Sequence, residues 1–84
     1  MDQTLKQDIT IGENLKTLRK KNKYSQEQVA AQLQVLGIPV TREILSRMER
    51  GVYSIRISAL LAMKEIYKVS SFDEFFQGAK LKKF

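Results

Sequence analysis

Apolar residues recur three and four positions apart through most of this chain, and residues able to cap a helix stand where each run begins. Ile11, Leu15 and Leu18 share one helical face, while Lys16, Arg19, Lys20 and Lys21 fall on the other. Thr10 and Glu13 fit the capping-box pattern, and the spacing predicts a first helix running to about Asn22. Its lysine-rich end suits the negative pole of the helix dipole. Ser25 and Gln28 open a second helix in the same way, with Val29, Ala30, Leu33 and either Leu36 or Val35 as its buried stripe. It is expected to stop near Gly37. Pro39, within Ile38-Pro39-Val40, bars the helix from continuing and biases Ile38 to extended backbone.

Thr41 is placed to cap a third helix, with Leu45 and Met48 facing inward, Ile44 beside them and Gly51 as its stop. After a loop over 52–56, the residues Ile57, Leu60, Leu61, Met63 or the stem of Lys64, and Tyr67 predict a fourth helix, its stripe widened by Ile66. Ser71-Phe72-Asp73-Glu74 reads as a third capping box, opening a short fifth helix with Phe72, Phe75 and Phe76 and ending at Gly78. No alternating β-branched run bounded by turns predicts a strand. The expectation is therefore all-α: a flexible N-terminal arm over 1–9, a helical domain over 10–77 and a basic tail over 78–84.

Composition narrows the function. With 84 residues the chain makes one domain. A domain of this size hides only roughly 60% of the surface its unfolded chain exposes, so a partner subunit would help it. There is no cysteine and no histidine, which removes thiolate and imidazole metal ligands and the commonest general base. No cofactor, metal site or enzymatic activity is expected. The net charge of +6 suits a polyanion, nucleic acid before an acidic membrane surface or acidic protein. No apolar run approaches the roughly 20 residues of a membrane span, and Met1 to Thr10 is too polar for a secretory signal. The expected location is the cytoplasm.

Taken in order, these pieces resemble the phage-repressor helix-turn-helix family, also called Cro-type or XRE. The resemblance covers residues 11–77. It rests on Ile11 to Arg19, on Ser25-Gln26-Glu27-Gln28-Val29-Ala30, and on Val40-Thr41-Arg42 leading to Leu45-Ser46-Arg47-Met48-Glu49 and Gly51. Ile57, Leu60, Leu61 and the run Val69 to Phe76 complete it. It implies a compact five-helix domain that binds operator DNA, usually as a dimer, with helices two and three as the helix-turn-helix. In one respect the chain departs from the family: the path from Gln26 to Thr41 is longer than usual, with the extra residues in 34–39. That predicts either a second helix longer by about a turn or a longer connector.

With Leu45 and Met48 inward, helix three would turn Arg42, Glu43, Ser46 and Arg47 outward, which also match the family's base-reading positions. Arginine pairs bidentately with guanine and glutamate accepts from cytosine. Glu43 has a second reading, a helical ion pair orienting Arg47. Gln26, at the first turn of helix two, suits a phosphate oxygen, and the family uses that position so. Thr41, Arg50, Tyr53, Ser54 and Arg56 are further phosphate candidates, whereas Lys20, Lys21 and Lys23 read as long-range attraction. The resemblance implies a structural ion pair between Arg19 and Glu49. Phe72 and Phe75 are expected in the core, and Tyr67, Phe76 and Phe84 at a dimer contact.

The sequence thus points to a DNA-binding transcriptional regulator, a repressor, acting on double-stranded DNA as a homodimer. The competing reading is a protein-interaction module of the same fold, such as an antitoxin or adaptor with a protein partner.

Overall fold

The computed structural model describes residues 11–78 and the backbone of Thr4–Leu5. The described elements are β1 (Thr4–Leu5), α1 (Gly12–Lys21), α2 (Gln26–Val35), α3 (Arg42–Glu49), β2 (Ile55–Arg56), α4 (Ile57–Ile66) and a 3-10 turn at Phe72–Phe75. The all-α expectation holds in class, but with four α-helices among the described residues rather than five. The predicted capping box before Phe72 does not close. The Ser71 hydroxyl accepts from Asp73 N at 3.2 Å, while Glu74 turns back to accept from the N–H and hydroxyl of Ser70. Asn14 of α1 then takes the carbonyls of Phe75 and Gln77, each at 2.8 Å, which ends the turn against α1.

A small antiparallel ladder joins Thr4 to Arg56 and Leu5 to Ile55, where no strand was predicted. Two-residue strands leave no periodic signal, and Thr4–Leu5 lies inside the stretch read as an arm. The first helix also begins differently from its predicted box. Its N-cap is Ile11, which makes no side-chain cap, and Thr10 lies outside the described residues. Ile11 is instead drawn into the core, and Gly12 packs on the end of α3. A Cβ on Gly12 would overlap the Glu49 carbonyl oxygen and lie 2.7 Å from that of Met48.

Local chemistry accounts for the helix-turn-helix itself. Ser25 and Gln28 form the full reciprocal box of α2, and the Thr41 hydroxyl caps α3 by accepting from Ile44 N at 3.2 Å. Gly37 and Gly51 take positive φ after α2 and α3. There the N–H groups of Ile38 and Val52 reach back to the carbonyls of Leu33 and Arg47, which closes Schellman motifs. The long connection is pinned rather than loose. Val40 is buried, its carbonyl accepts from the Gln34 amide, and its N–H closes a tight turn onto Ile38 around Pro39.

One core holds these pieces together, built from Ile11, Leu15, Leu18, Val29, Leu33, Val40, Leu45, Met48, Ile55, Ala59, Leu60, Met63, Tyr67, Val69 and Phe75. Several sequence expectations need correction here. Val35 and Leu36 are 86% and 61% exposed, so neither extends the α2 stripe past Leu33. On α4 the inward face is Ala59, Leu60, Met63 and Tyr67, which leaves Ile57 and Leu61 exposed on the other side. Tyr67, expected at a dimer contact, is a core residue at 2% exposure. Phe72, expected in the core, is outside it, tilted against Phe75 at 6.0 Å with the Lys64 ammonium 5.6 Å above its ring.

Candidate nucleic-acid interface

The inward stripe of α3 decides what its other faces can do. Leu45 and Met48 are buried in the core, and Glu49 is buried toward α1. The remaining positions point away. Arg42, Glu43, Arg47 and Arg50 are exposed, while Ser46 is half-buried and set back beside α1 and α2. Arg42 and Ser46, four residues apart, border the α1 side, and Glu43 and Arg47, also four apart, form the adjacent row. The lengthened connection leaves Arg42, Glu43 and Arg47 exposed, while its own Val40 is buried.

Beneath α3 lies a polar clasp. Arg19 donates from Nε to Glu49 Oε2 at 2.7 Å and from Nη2 to Glu49 Oε1 at 3.0 Å. Its Nη1 donates to the Tyr24 carbonyl at 2.8 Å, so the guanidinium also ties α1 to the start of α2. The two side chains are 8% and 2% exposed. The hydrogen bonds to Glu49 hold the Arg19 pKa above its ordinary value, against the opposite pull of burial. The Gln26 amide completes the clasp by donating to Glu49 Oε1 at 3.1 Å. One carboxylate at the end of α3 is therefore held by α1 and by the first residue of α2.

Gln26, the phosphate candidate at the first turn of α2, is consequently not a free side chain. One of its N–H groups is committed to Glu49, which leaves its second N–H and its oxygen at the surface. It stands between two clefts. The larger, about 540 Å³, is walled by Lys16 and Lys20 of α1, by Ser25, Gln26 and Glu27, and by Arg42. The smaller, about 200 Å³, takes in Glu13, Lys16, Gln26, Ser46, Glu49 and Arg50. The sequence reading gave Lys16 no role, although its four-residue spacing to Lys20 places both on one side of α1.

The remaining candidates divide by position. Thr41 is exposed and its hydroxyl is occupied as a cap acceptor, with its proton available to donate. Tyr53 is exposed, and Ser54 and Arg56 are half-buried in and beside β2. Phe76 is 43% exposed, and Phe84 lies outside the described residues. Among the described residues no group of acidic side chains gathers to hold a metal ion, and no helix is long and apolar enough to cross a membrane.

A family model described as helix-turn-helix matches residues 15–75, from the middle of α1 to the 3-10 turn. No curated protein and no solved structure matches the chain.

Proposed function

This chain belongs to the Cro-type (XRE) helix-turn-helix family, a family of DNA-binding regulators, and from that premise we propose that it is a sequence-specific transcriptional repressor. Helix α3 enters the major groove, and Arg42, Glu43 and Arg47 meet the base edges, with Ser46 set behind them. Gln26, Thr41, Arg50, Tyr53, Ser54 and Arg56 contact phosphates on either side. The protein acts as a homodimer on a two-fold site, with Phe76 available to the dimer contact.

The observation that carries this reading is the contrast within α3. Its inner face is locked by the core and by the Arg19–Glu49 pair, while two arginines and a glutamate on its outer face stay exposed. A helix held rigid and left uncovered on a charged side suits direct readout, since little order remains to be imposed on binding.

The test is selection of bound sequences from a random duplex pool with the purified chain. A recovered motif with two-fold symmetry is expected. Arg42→Ala then relaxes preference at one base pair, with a discrimination loss of about 1–3 kcal/mol. Gln26→Ala weakens all sequences alike. Absence of any enriched motif overturns the reading. The exposed apolar pair Val35 and Leu36 favours the second reading, a protein-interaction module. Capture of a protein by the chain without duplex binding would favour that reading.

A further inference from the structure

We infer that the apolar end of α2 is a contact surface for a second copy of this chain bound at an adjoining site on the same duplex; this rests on the DNA-binding reading above. Val35, at 86% exposure, is the most open large apolar side chain among the described residues, and Leu36 lies beside it. With Ala31, one turn earlier, and Gln32 they line a groove of about 320 Å³. Ala31 and Val35 lie on the side of α2 turned away from its buried Val29, Ala30 and Leu33. The groove is preformed. The closure at Gly37 fixes the end of the helix, and the Gln34 amide fixes the connector through the Val40 carbonyl.

Charge and area select the occupant. From Gln28 to Thr41 no residue is charged, the longest such stretch in the chain. An acidic protein or a phosphate finds no cation on this groove, whereas two copies of a chain with net charge +6 can meet here without bringing cations together. The face is also its own complement, since two apolar ends related by a two-fold axis cover one another. Two large side chains fall well short of the ~800 Å² that each partner gives to a stable interface. The contact therefore does not hold copies together in free solution. On one duplex a neighbour is held at about millimolar effective concentration, where a contact this weak takes effect. The position suits that use. A connector pinned at Val40 leads from Leu36 to Arg42, the first residue of α3, so the face flanks the helix assigned to the groove. A neighbour seated on it stands on the same duplex.

The experiment measures binding of the full chain to duplexes carrying one selected site or two, with the two sites set apart in steps of one base pair. Paired sites at the favoured spacing should fill cooperatively, the second site at least about 5-fold more tightly than the first. Cooperativity should return with each added helical turn, about 10.5 base pairs, and vanish half a turn away, where neighbours face opposite sides of the duplex. Val35→Gln/Leu36→Gln, verified as folded by circular dichroism, should lose the cooperativity and keep its affinity for a single site. Val35→Ile leaves the face apolar and should keep both. Equal cooperativity in the double variant and the unchanged chain overturns the assignment. Its absence at every spacing in the unchanged chain does so too, and single-site binding then leaves the DNA reading intact. Sedimentation of the free proteins separates a further case. If the unchanged chain forms a dimer that the double variant does not, the face is the contact of that dimer and the adjoining-site assignment fails. An unchanged chain that binds no duplex overturns the DNA reading itself, and this inference with it.

Discussion

Arg19 and Glu49, thirty residues apart, meet through two parallel hydrogen bonds at the end of α3. This geometry fixes the fork of the guanidinium against both oxygens of the carboxylate, and each partner is nearly sealed from water. Removing one partner strands the other. Arg19→Met leaves the Glu49 charge buried and should cost about 3–5 kcal/mol, a large share of the stability of a small domain. The double change Arg19→Met/Glu49→Leu should recover most of that loss, since a well-packed apolar pair often equals a buried ion pair. Urea denaturation of the single and double variants measures both. A single-variant loss below about 1 kcal/mol would mean that water reaches the pair.

Gly12 sets how closely α1 crosses the end of α3. The atoms that a Cβ would strike are backbone carbonyls, which cannot rotate aside as a side chain can. Gly12→Ala should therefore force the helices apart at a cost of about 1–3 kcal/mol or more. It should also weaken duplex binding at temperatures where the variant is fully folded, because the displaced element is α3. Gly37→Ala is the contrast. It faces open space, and its cost comes from positive φ alone, at about 1–2 kcal/mol. Its DNA affinity should stay unchanged. Equal affinities for both variants would show that the crossing does not set the position of α3.

What was legible in the sequence was local. The Ser25–Gln28 box, the Thr41 cap and the glycine stops each depend on residues within a turn of one another, and each stands where the spacing placed it. The inward positions of α3 were equally plain, because Leu45 and Met48 leave one possible phase. Helix α4 was not plain: Ile57 and Leu61 are as apolar as Leu60 and Met63, and only packing against the other elements selects the face. The same holds for Tyr67, whose ring gives no sign in the sequence that it belongs under the Arg19–Glu49 pair. The Gln26–Glu49 hydrogen bond spans two elements, and no spacing rule reports such a bond. The connector was anticipated as longer. Its pinning through Val40 and Gln34 depends on tertiary placement.

The ends of α1 and α4 resemble those of α2 and α3, but with lysine where the latter have glycine. Lys68 has φ of 54°, and the Val69 N–H beyond it closes onto the Lys64 carbonyl. A side chain in this left-handed region costs about 1–2 kcal/mol, and glycine gives back about 0.5–1 kcal/mol of that in chain entropy. Lys68→Gly should therefore stabilise the domain by about 0.5–1 kcal/mol, seen as a higher urea midpoint. Lys68→Ala keeps the Cβ and should gain nothing. If alanine stabilises as much as glycine, the benefit lies in the lost charge and not in the backbone.

Tyr67 carries the one buried side-chain polar atom without a hydrogen-bond partner among the described residues, its hydroxyl. Burial, and secondarily the nearby Glu49 charge, push its pKa well above the ordinary value of 10.0, with Arg19 pulling the other way. Tyr67→Phe removes the stranded hydroxyl and keeps the ring, so at neutral pH stability should be unchanged or up to about 1 kcal/mol higher. The two proteins should then diverge in alkali. The unfolded tyrosine ionises near pH 10 while the folded one stays protonated, so the unfolded state binds fewer protons as pH rises. Stability fully present below pH 10 is thus lost progressively above it. The phenylalanine variant lacks this loss. Urea midpoints at pH 8 and at pH 10.5 should show a smaller fall in the variant than in the unchanged chain. Parallel falls would mean that the hydroxyl reaches water or a bound partner in solution.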